Sequence, residues 1–475
     1  MIFAGSGPGK VGGKNFEHTY YGGIGPRLGL AYQLTPKTVI RAGYAMMYAP
    51  LIGDNIGTQG YGASIGLESP DGGITPAFNI DAGWPPGSVH RPPFLDPTVA
   101  NGQDTSTAKS DAGRMGRTMQ WQVDVQRMIK DVLVDTSYVA TVAHGIPNNY
   151  LDSPNQLNPM YLQLGSLLTD DINDPAVKAA GFKPPYAGFT GNLAQALRAF
   201  PQYGNVNVFD SPTGNSTYNA WLTKVEKRFS NGLQFLVSYS VSKTLTDVGY
   251  GAFGNTNWAT PSGAPAPQDQ FNRRAEKSLA NTDIPQRLVV SYTYELPFGK
   301  HKPLLNKGVS SRILGGFSVS GIHTYQSGGV LHIYTPDNLP IFNGYLAANR
   351  VAGVPIGIGP GRADFQPLNA MTGQQGDVML NTNAFSAPAP YTLGNLGVFL
   401  PNVRGFGLET ENISLQRKFG LPGENRFIQV RAELFNAFNR RNLNNPITDL
   451  TSPDFGRVSG QGPAKVAQFG FRLQF

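Results

Sequence analysis

The chain contains no cysteine, which leaves no material for a disulfide framework or a thiolate metal site. No run approaches the roughly 18 consecutive apolar residues that a membrane-spanning helix needs, and hydrophobic residues make up only 40%. A helical span is thereby excluded. A transmembrane β-barrel is not, because its strands alternate apolar with polar residues and average to a soluble-looking hydropathy. Charge is also scarce, at 15% of residues. The 38 basic and 31 acidic residues leave a net +7, yet no basic run or nucleic-acid module accompanies the excess, so nucleic acid is not expected as a partner. The excess reads as scattered surface charge; its alternative is attraction for an anionic ligand or lipopolysaccharide. No long segment keeps a 3.6-residue apolar period. The opening residues, Met-Ile-Phe-Ala-Gly-Ser-Gly-Pro-Gly-Lys, lack the order of a signal peptide.

Glycine and proline are plentiful, at 58 and 37 of 475 residues, which favours turns and long loops over helices. The 20 Tyr and 27 Phe suit strands, and suit the aromatic girdles of a membrane barrel.

Eleven segments read as strands. Alternation is clearest in 233–244, 286–296, 426–438 and 464–475. In the first, Leu233, Phe235, Val237, Tyr239 and Val241 share one face, opposite Gln234, Ser238, Ser240 and Ser242. In the third, Ile428, Val430, Ala432 and Leu434 oppose Gln429, Arg431 and Glu433. The others are 26–34, 38–49, 118–129, 132–143, 217–229, 317–327 and 407–419. A short helix is expected over 191–200, inside a loop.

Short and long connections alternate. Thr35–Lys37, Lys130–Asp131, Ser230–Gly232 and Leu421–Asn425 are tight turns, whereas 50–117, 144–216, 245–285, 328–406 and 439–463 are long excursions. The exception is 297–316, of medium length where a tight turn is due. Bacterial outer-membrane barrels have short periplasmic turns and long external loops. The pattern therefore predicts an all-β, antiparallel transmembrane barrel. The last strand follows a long loop, so Phe475 ends in the periplasm. Counting back, residues 1–25 form a truncated external loop and 26–475 the strands and loops of one domain, 1–475. Single-chain barrels have even strand numbers, so eleven strands predict the C-terminal portion of a larger barrel. Two open edges would leave backbone groups unpaired in hydrocarbon at several kcal/mol each, roughly tens of kcal/mol in all. The chain is not expected to be stable in a membrane alone.

The last residues, Lys465-Val-Ala-Gln-Phe-Gly-Phe-Arg-Leu-Gln-Phe475, resemble the C-terminal outer-membrane signal. Arg431-Ala-Glu-Leu-Phe-Asn-Ala-Phe-Asn-Arg440 resembles the E-x-F-N-x-F-N strand of TonB-dependent receptors. Three further stretches resemble the Oar-like branch of that family. They are Pro26-Arg-Leu-Gly-Leu-Ala-Tyr32 with Thr38-Val-Ile-Arg-Ala-Gly-Tyr44, then Tyr239-Ser-Val-Ser-Lys243, and Arg287-Leu-Val-Val-Ser-Tyr-Thr-Tyr-Glu-Leu-Pro-Phe-Gly299 followed by Gly315-Gly-Phe-Ser-Val-Ser-Gly321.

The resemblance implies a barrel of about 22 strands, plugged by an N-terminal domain. It also implies import of a scarce extracellular ligand, such as a metal chelate, vitamin or glycan, with TonB-delivered energy. Implied partners are outer-membrane lipid, the plug domain, TonB, and the barrel-assembly machinery through the strand ending at Phe475. The implied location is the bacterial outer membrane. No plug, TonB-contacting segment or regulatory-like domain is found in these residues, so energy coupling is expected to belong to a longer protein. Two alternatives stand beside import: a structural, adhesive or secretion-linked barrel, and a secreted all-β carbohydrate-binding protein.

Chemical motifs are weak. Gly5-Ser-Gly-Pro-Gly-Lys10 hints at a phosphate loop but has the wrong spacing, with Val11 after Lys10; Gly357-Ile-Gly-Pro-Gly361 reads as a loop. Among His18, His90, His144, His301, His323 and His332, only the last two, flanking Gly328-Gly329, suggest a metal pair. Asp170-Asp-Ile-Asn-Asp174 has carboxylates for a cation but not the EF-hand order. Lys224, Glu226 and Arg228, like Gln429, Arg431 and Glu433, alternate on one face, expected to be the lumen, where they either touch a plug or pair with each other. Loop aromatics such as Tyr61, Phe78, Trp84, Phe253 and Trp258 either hold a ligand or pack the loops. No Ser-His-Asp arrangement can be drawn. The chain is not expected to be an enzyme, and no catalytic, cofactor or metal residue is assigned.

Overall fold

The computed structural model describes residues 20–48, 68–84, 101–108, 114–148, 153–209, 211–248, 268–336, 346–369, 373–422 and 426–475, with Ser6, Gly12 and Gly87. Eleven wall strands follow one another: β1 Arg27–Thr35, β2 Thr38–Tyr48, β3 Arg117–Ile129, β4 Val132–Asn148, β5 Ser211–Ser230, β6 Leu233–Thr246, β7 Gln286–Glu295, β8 Phe317–Gln326, β9 Leu408–Gly420, β10 Phe427–Phe435 and β11 Val466–Gln474. Each is antiparallel to its sequence neighbours, giving one up-and-down meander. A two-residue strand, Ser278–Leu279, extends the sheet beside the outer end of β6. Among the described residues β1 pairs only with β2 and β11 only with β10, so the sheet does not close on itself.

All eleven expected strands are present, with two notable changes of length. β5 starts at Ser211 rather than 217, because β4 also runs on and the pair continues past bulges at His144/Ile146 and Ile146/Pro147. β10 stops at Phe435 rather than 438, because Asn436 takes a left-handed φ of 49°. One of the two-residue turns is explained locally: Asn231 (φ 51°) and Gly232 (φ 80°) both have the positive φ that a type I′ hairpin turn requires.

Register decides which residues share a face. From β1 to β6 one row reads Leu30, Ala42, Val123, Tyr138, Trp221, Val241. From β6 to β11 the same face reads Leu233, Tyr294, Val319, Leu415, Ala432, Phe469. The opposite face reads Ala31, Arg41, Asp124, Ser137, Leu222, Ser240, Arg287 in the first half and Gln234, Thr293, Ser320, Ser414, Glu433, Gln468 in the second. The apolar face is open, with Phe469 82% and Phe471 70% exposed. A belt of this kind is stable only against hydrocarbon, and the polar face is then the lumen.

The buried core lies elsewhere. Apart from Glu411, every large, fully buried side chain among the described residues belongs to a connection between wall strands: Phe365, Leu168, Ile172, Leu193, Ile333, Leu380, Leu400, Val177, Val208 and Val458. One cluster gathers Leu157, Leu168, Ile172, Val177, Phe189 and Leu193; a second gathers Leu331, Ile333, Leu380, Phe385, Leu400 and Phe455. The long external loops thus form a packed layer of their own. Short helices lie within it, at Pro159–Thr169, Pro175–Ala179, Leu193–Ala196 and Gln270–Glu276. The third falls inside the expected helix 191–200 and is capped by Asn192, whose side chain accepts from the Gln195 N–H.

Candidate functional site

Two surfaces of this architecture are built to meet something other than lipid: the lumen wall and the external layer. On the lumen wall, strand alternation brings charges into reach of one another. Lys224 Nζ lies 3.1 Å from Glu226 Oε2, Arg431 Nε 3.3 Å from Glu433 Oε1, and Arg41 4.0 Å from Asp124 across the β2–β3 pair. Gln126 Nε2 donates to Asp135 at 2.9 Å, and the hydroxyls of Thr293 and Ser320 are 3.0 Å apart. Arg228 shares this face by alternation. Along the wall, Lys224 pairs with Glu226 and Arg431 with Glu433.

The external layer is tied together by lone amides. Gln156 Nε2 donates to Gln268 O at 2.8 Å, and Gln156 Oε1 accepts from Gln270 N at 2.8 Å. Gln268 in turn donates to Gly394 O (3.0 Å), while its Oε1 accepts from Ala347 N and Gly394 N, both at 2.9 Å. Two side chains thereby join three loops. Asn155 folds one loop upon itself, donating to Phe200 O, Tyr203 O and Gly204 O and accepting from Phe200 N. Ion pairs fasten the layer to the wall. Arg404 pairs with buried Asp283, which also accepts from Thr244 N at the end of β6. Arg440 donates to Glu411 on β9 at 3.0 Å, and Arg362 lies 2.8 Å from Glu409. Apart from Arg440, which closes the 431–440 stretch, none of these residues carries a local sequence signal; Gln268 and Gly394, for example, are 126 positions apart.

A cavity of about 230 Å³ opens in this layer between Thr335, Leu346, Thr382, Phe385, Pro388 and Leu450. No charged side chain lines it among the described residues.

The residues singled out from sequence are dispersed. His144 Nδ1 lies 2.8 Å from Asn215 Oδ1, and the His323 ring stacks on Tyr292 at 5.5 Å. His332 is buried in the external layer with Nδ1 2.6 Å from Val398 O, and burial pushes its pKa down. His301 sits in the 297–316 connection, and His18 and His90 lie outside the described residues. Among the described residues no three His, Asp or Glu gather as metal ligands. In 170–174 the carboxylates of Asp171 and Asp174 accept from Asn173 N and Ala176 N, so they act as turn and helix caps. Gly357 bridges Leu380, as part of a loop. Of 5–10, only Ser6 is described. Phe78 and Trp84 stack on each other at 5.4 Å; Tyr61, Phe253 and Trp258 lie outside the described residues.

Compared with known families, residues 1–474 match the model of the outer membrane beta barrel domain. The chain belongs to that family. The barrel domain accounts for the lipid-facing belt and the polar lumen wall, and it places the chain in the bacterial outer membrane with tight turns in the periplasm and long loops outside. No curated protein sequence matches it. Solved structures similar to the barrel domain include the ferripyoverdine receptor of the outer membrane of Pseudomonas aeruginosa (8% identity, 95% of this chain and 33% of that one, TM-score 0.38). Others are the outer membrane transporter YddB from Escherichia coli (10%, 94% and 40%, 0.39) and the siderophore receptor PirA from Acinetobacter baumannii (9%, 94% and 40%, 0.37). The chain spans two fifths or less of the length of each.

Proposed function

We propose that this barrel domain is the C-terminal part of an outer-membrane receptor of the TonB-dependent type, in its Oar-like branch. In this reading it binds a scarce extracellular ligand and imports it with TonB-delivered energy. The observation that carries the reading is the external layer, with its own hydrophobic clusters and the Gln156–Gln268–Gln270 clasp across three loops. A pore that only leaks solutes has no use for loops held in one arrangement. A receptor does, because loops ordered before binding do not lose that entropy on binding. Domain 1–475 would supply wall and recognition surface; plug, TonB contact and barrel assembly through the strand ending at Phe475 would complete the protein. No catalytic step enters the reading.

The test uses a strain lacking the chromosomal gene, complemented with the full-length protein. Uptake is measured for a panel of ferric chelates, cobalamin and oligosaccharides, with and without dissipation of the proton-motive force. Loss of uptake of one class on deletion, repeated on dissipation, is the expected result. If no uptake depends on the gene, or if uptake survives dissipation, a structural or adhesive role replaces import.

A further inference from the structure

The connection 297–316 differs in chemistry from the tight turns on its side of the sheet. It carries Lys300, Lys302, Lys307 and Arg312 and no Asp or Glu. A helix, α1, spans Gly308–Leu314. Val309 and Ile313, one turn apart on its outward side, are 70% and 59% exposed, and Leu304, Leu305 and Leu314 are also open. Ser311, on the opposite side, is half-buried. The helix is held in place by its backbone. Gly299 and Gly315 approach so closely that a Cβ on Gly315 would meet Ser311 O at 2.4 Å and Gly299 Cα at 2.9 Å. Lys302 pairs with Glu295 at 2.7 Å. The outward apolar residues are therefore presented in a fixed arrangement.

Arg417 tells which side of the wall the helix occupies. It is in register with Phe317 and shares the apolar face with Leu415 and Phe419. Its guanidinium lies 5.1 Å from the Phe317 ring and 4.3 Å from the Phe419 ring. From there it donates to Ile313 O at 2.6 Å and to Arg312 O, two carbonyls at the C-terminal end of α1 that the helix itself leaves unpaired. The helix end is thus fastened to the lipid-facing side of β9, at the periplasmic rim.

We propose that residues 304–314 form an interfacial anchor in the periplasmic leaflet. Val309 and Ile313, with Leu304, Leu305 and Leu314, enter the boundary between headgroups and acyl chains, continuing the wall's belt. Lys300, Lys307 and Arg312 engage anionic phospholipid headgroups. Continuity with the belt and the purely basic charge both point to phospholipid as the occupant.

Residues 1–475 contain no cysteine, so an introduced cysteine is the sole thiol in this part of the protein, and any cysteine elsewhere in the full protein is first replaced by serine. A nitroxide label is placed at Val309→Cys or Ile313→Cys in the full protein, in isolated outer membranes. Collision rates are read with oxygen, which concentrates in acyl chains, and with a water-soluble nickel chelate. Leu415→Cys on the belt and Asp81→Cys in an external loop are the references. The expected oxygen-to-nickel ratio at 309 and 313 approaches that at 415 and exceeds that at 81 several-fold. Lys307→Gln with Arg312→Gln should lower the ratio at 313; an unchanged ratio removes the headgroup contact from the proposal. A lipid-like 415 with an aqueous 309 and 313, or with 309 and 313 shielded from both reagents, overturns the anchor alone. An aqueous 415 overturns the barrel assignment with it.

Discussion

Asn436 shows how much one side chain can decide. Its left-handed φ of 49° ends β10, and its side chain then closes the loop: Oδ1 accepts from Arg440 N at 2.7 Å, and Nδ2 donates to Arg440 O at 2.9 Å and Pro463 O at 3.3 Å. Asn439, at φ 54°, accepts from Lys465 N just before β11. The two asparagines of the E-x-F-N-x-F-N stretch therefore stop one strand and start the next. Asn tolerates this conformation and Ala does not. Asn436→Ala should cost on the order of 3 kcal/mol, from lost hydrogen bonds and backbone strain together. The measurement is the temperature at which the protein loses its compact gel mobility; Asn436→Gly should fall between the two, and an unchanged Ala variant would refute this role. A carboxylate makes a second residue-scale test. Hydrogen bonds from the Thr75 side chain and backbone and from Ser69 hold Asp71 at about 2, below its ordinary 3.8. A depressed carboxylate stabilises the folded loop fully above the unfolded value, and that contribution is lost as pH falls through about 2. A carboxyl titration by NMR should place the midpoint near 2 and not near 3.8.

At the scale of elements, alternation made the strands legible. Each expected strand is present, since period-2 patterning holds wherever one face meets lipid and the other water. The ends were less legible, because β4 and β5 lengthen each other by pairing, which neither segment encodes alone. The face assignment is open to a direct comparison of adjacent residues in the middle of β9. Leu415→Lys puts a charge on the belt and should cost about 2–4 kcal/mol, whereas Ser414→Lys, pointing to the lumen, should cost close to nothing. Equal effects on folding yield in membranes would reverse or abolish the assignment. The external helices were mostly illegible. Among the described residues they have three to eleven residues, and caps such as Asn192 and Asp174 hold them rather than an amphipathic period.

In the whole molecule, ion pairs and hydrogen bonds join the wall to the external layer. Asp283, 1% exposed, and Arg404 form one such link. Removing one partner of a buried ion pair leaves a charge without compensation, so Arg404→Ala should cost roughly 3–5 kcal/mol. The loss should fall on the layer: hydrogen exchange should accelerate around 280–283 and 328–331 while β9–β11 stay protected. Uniform acceleration would mean that wall and layer are one cooperative unit. The sequence by itself determined the strand count, the lipid and lumen faces and the side on which long loops lie. Each of these follows from patterns repeated every second residue or from connection length. Only the tertiary structure decided which loops touch, that Gln156, Gln268 and Gln270 clasp them, that Asp283 finds Arg404, and that Arg417 seats a helix on the lipid side. These contacts join residues about a hundred positions apart or more, and no local pattern records a partner at that distance.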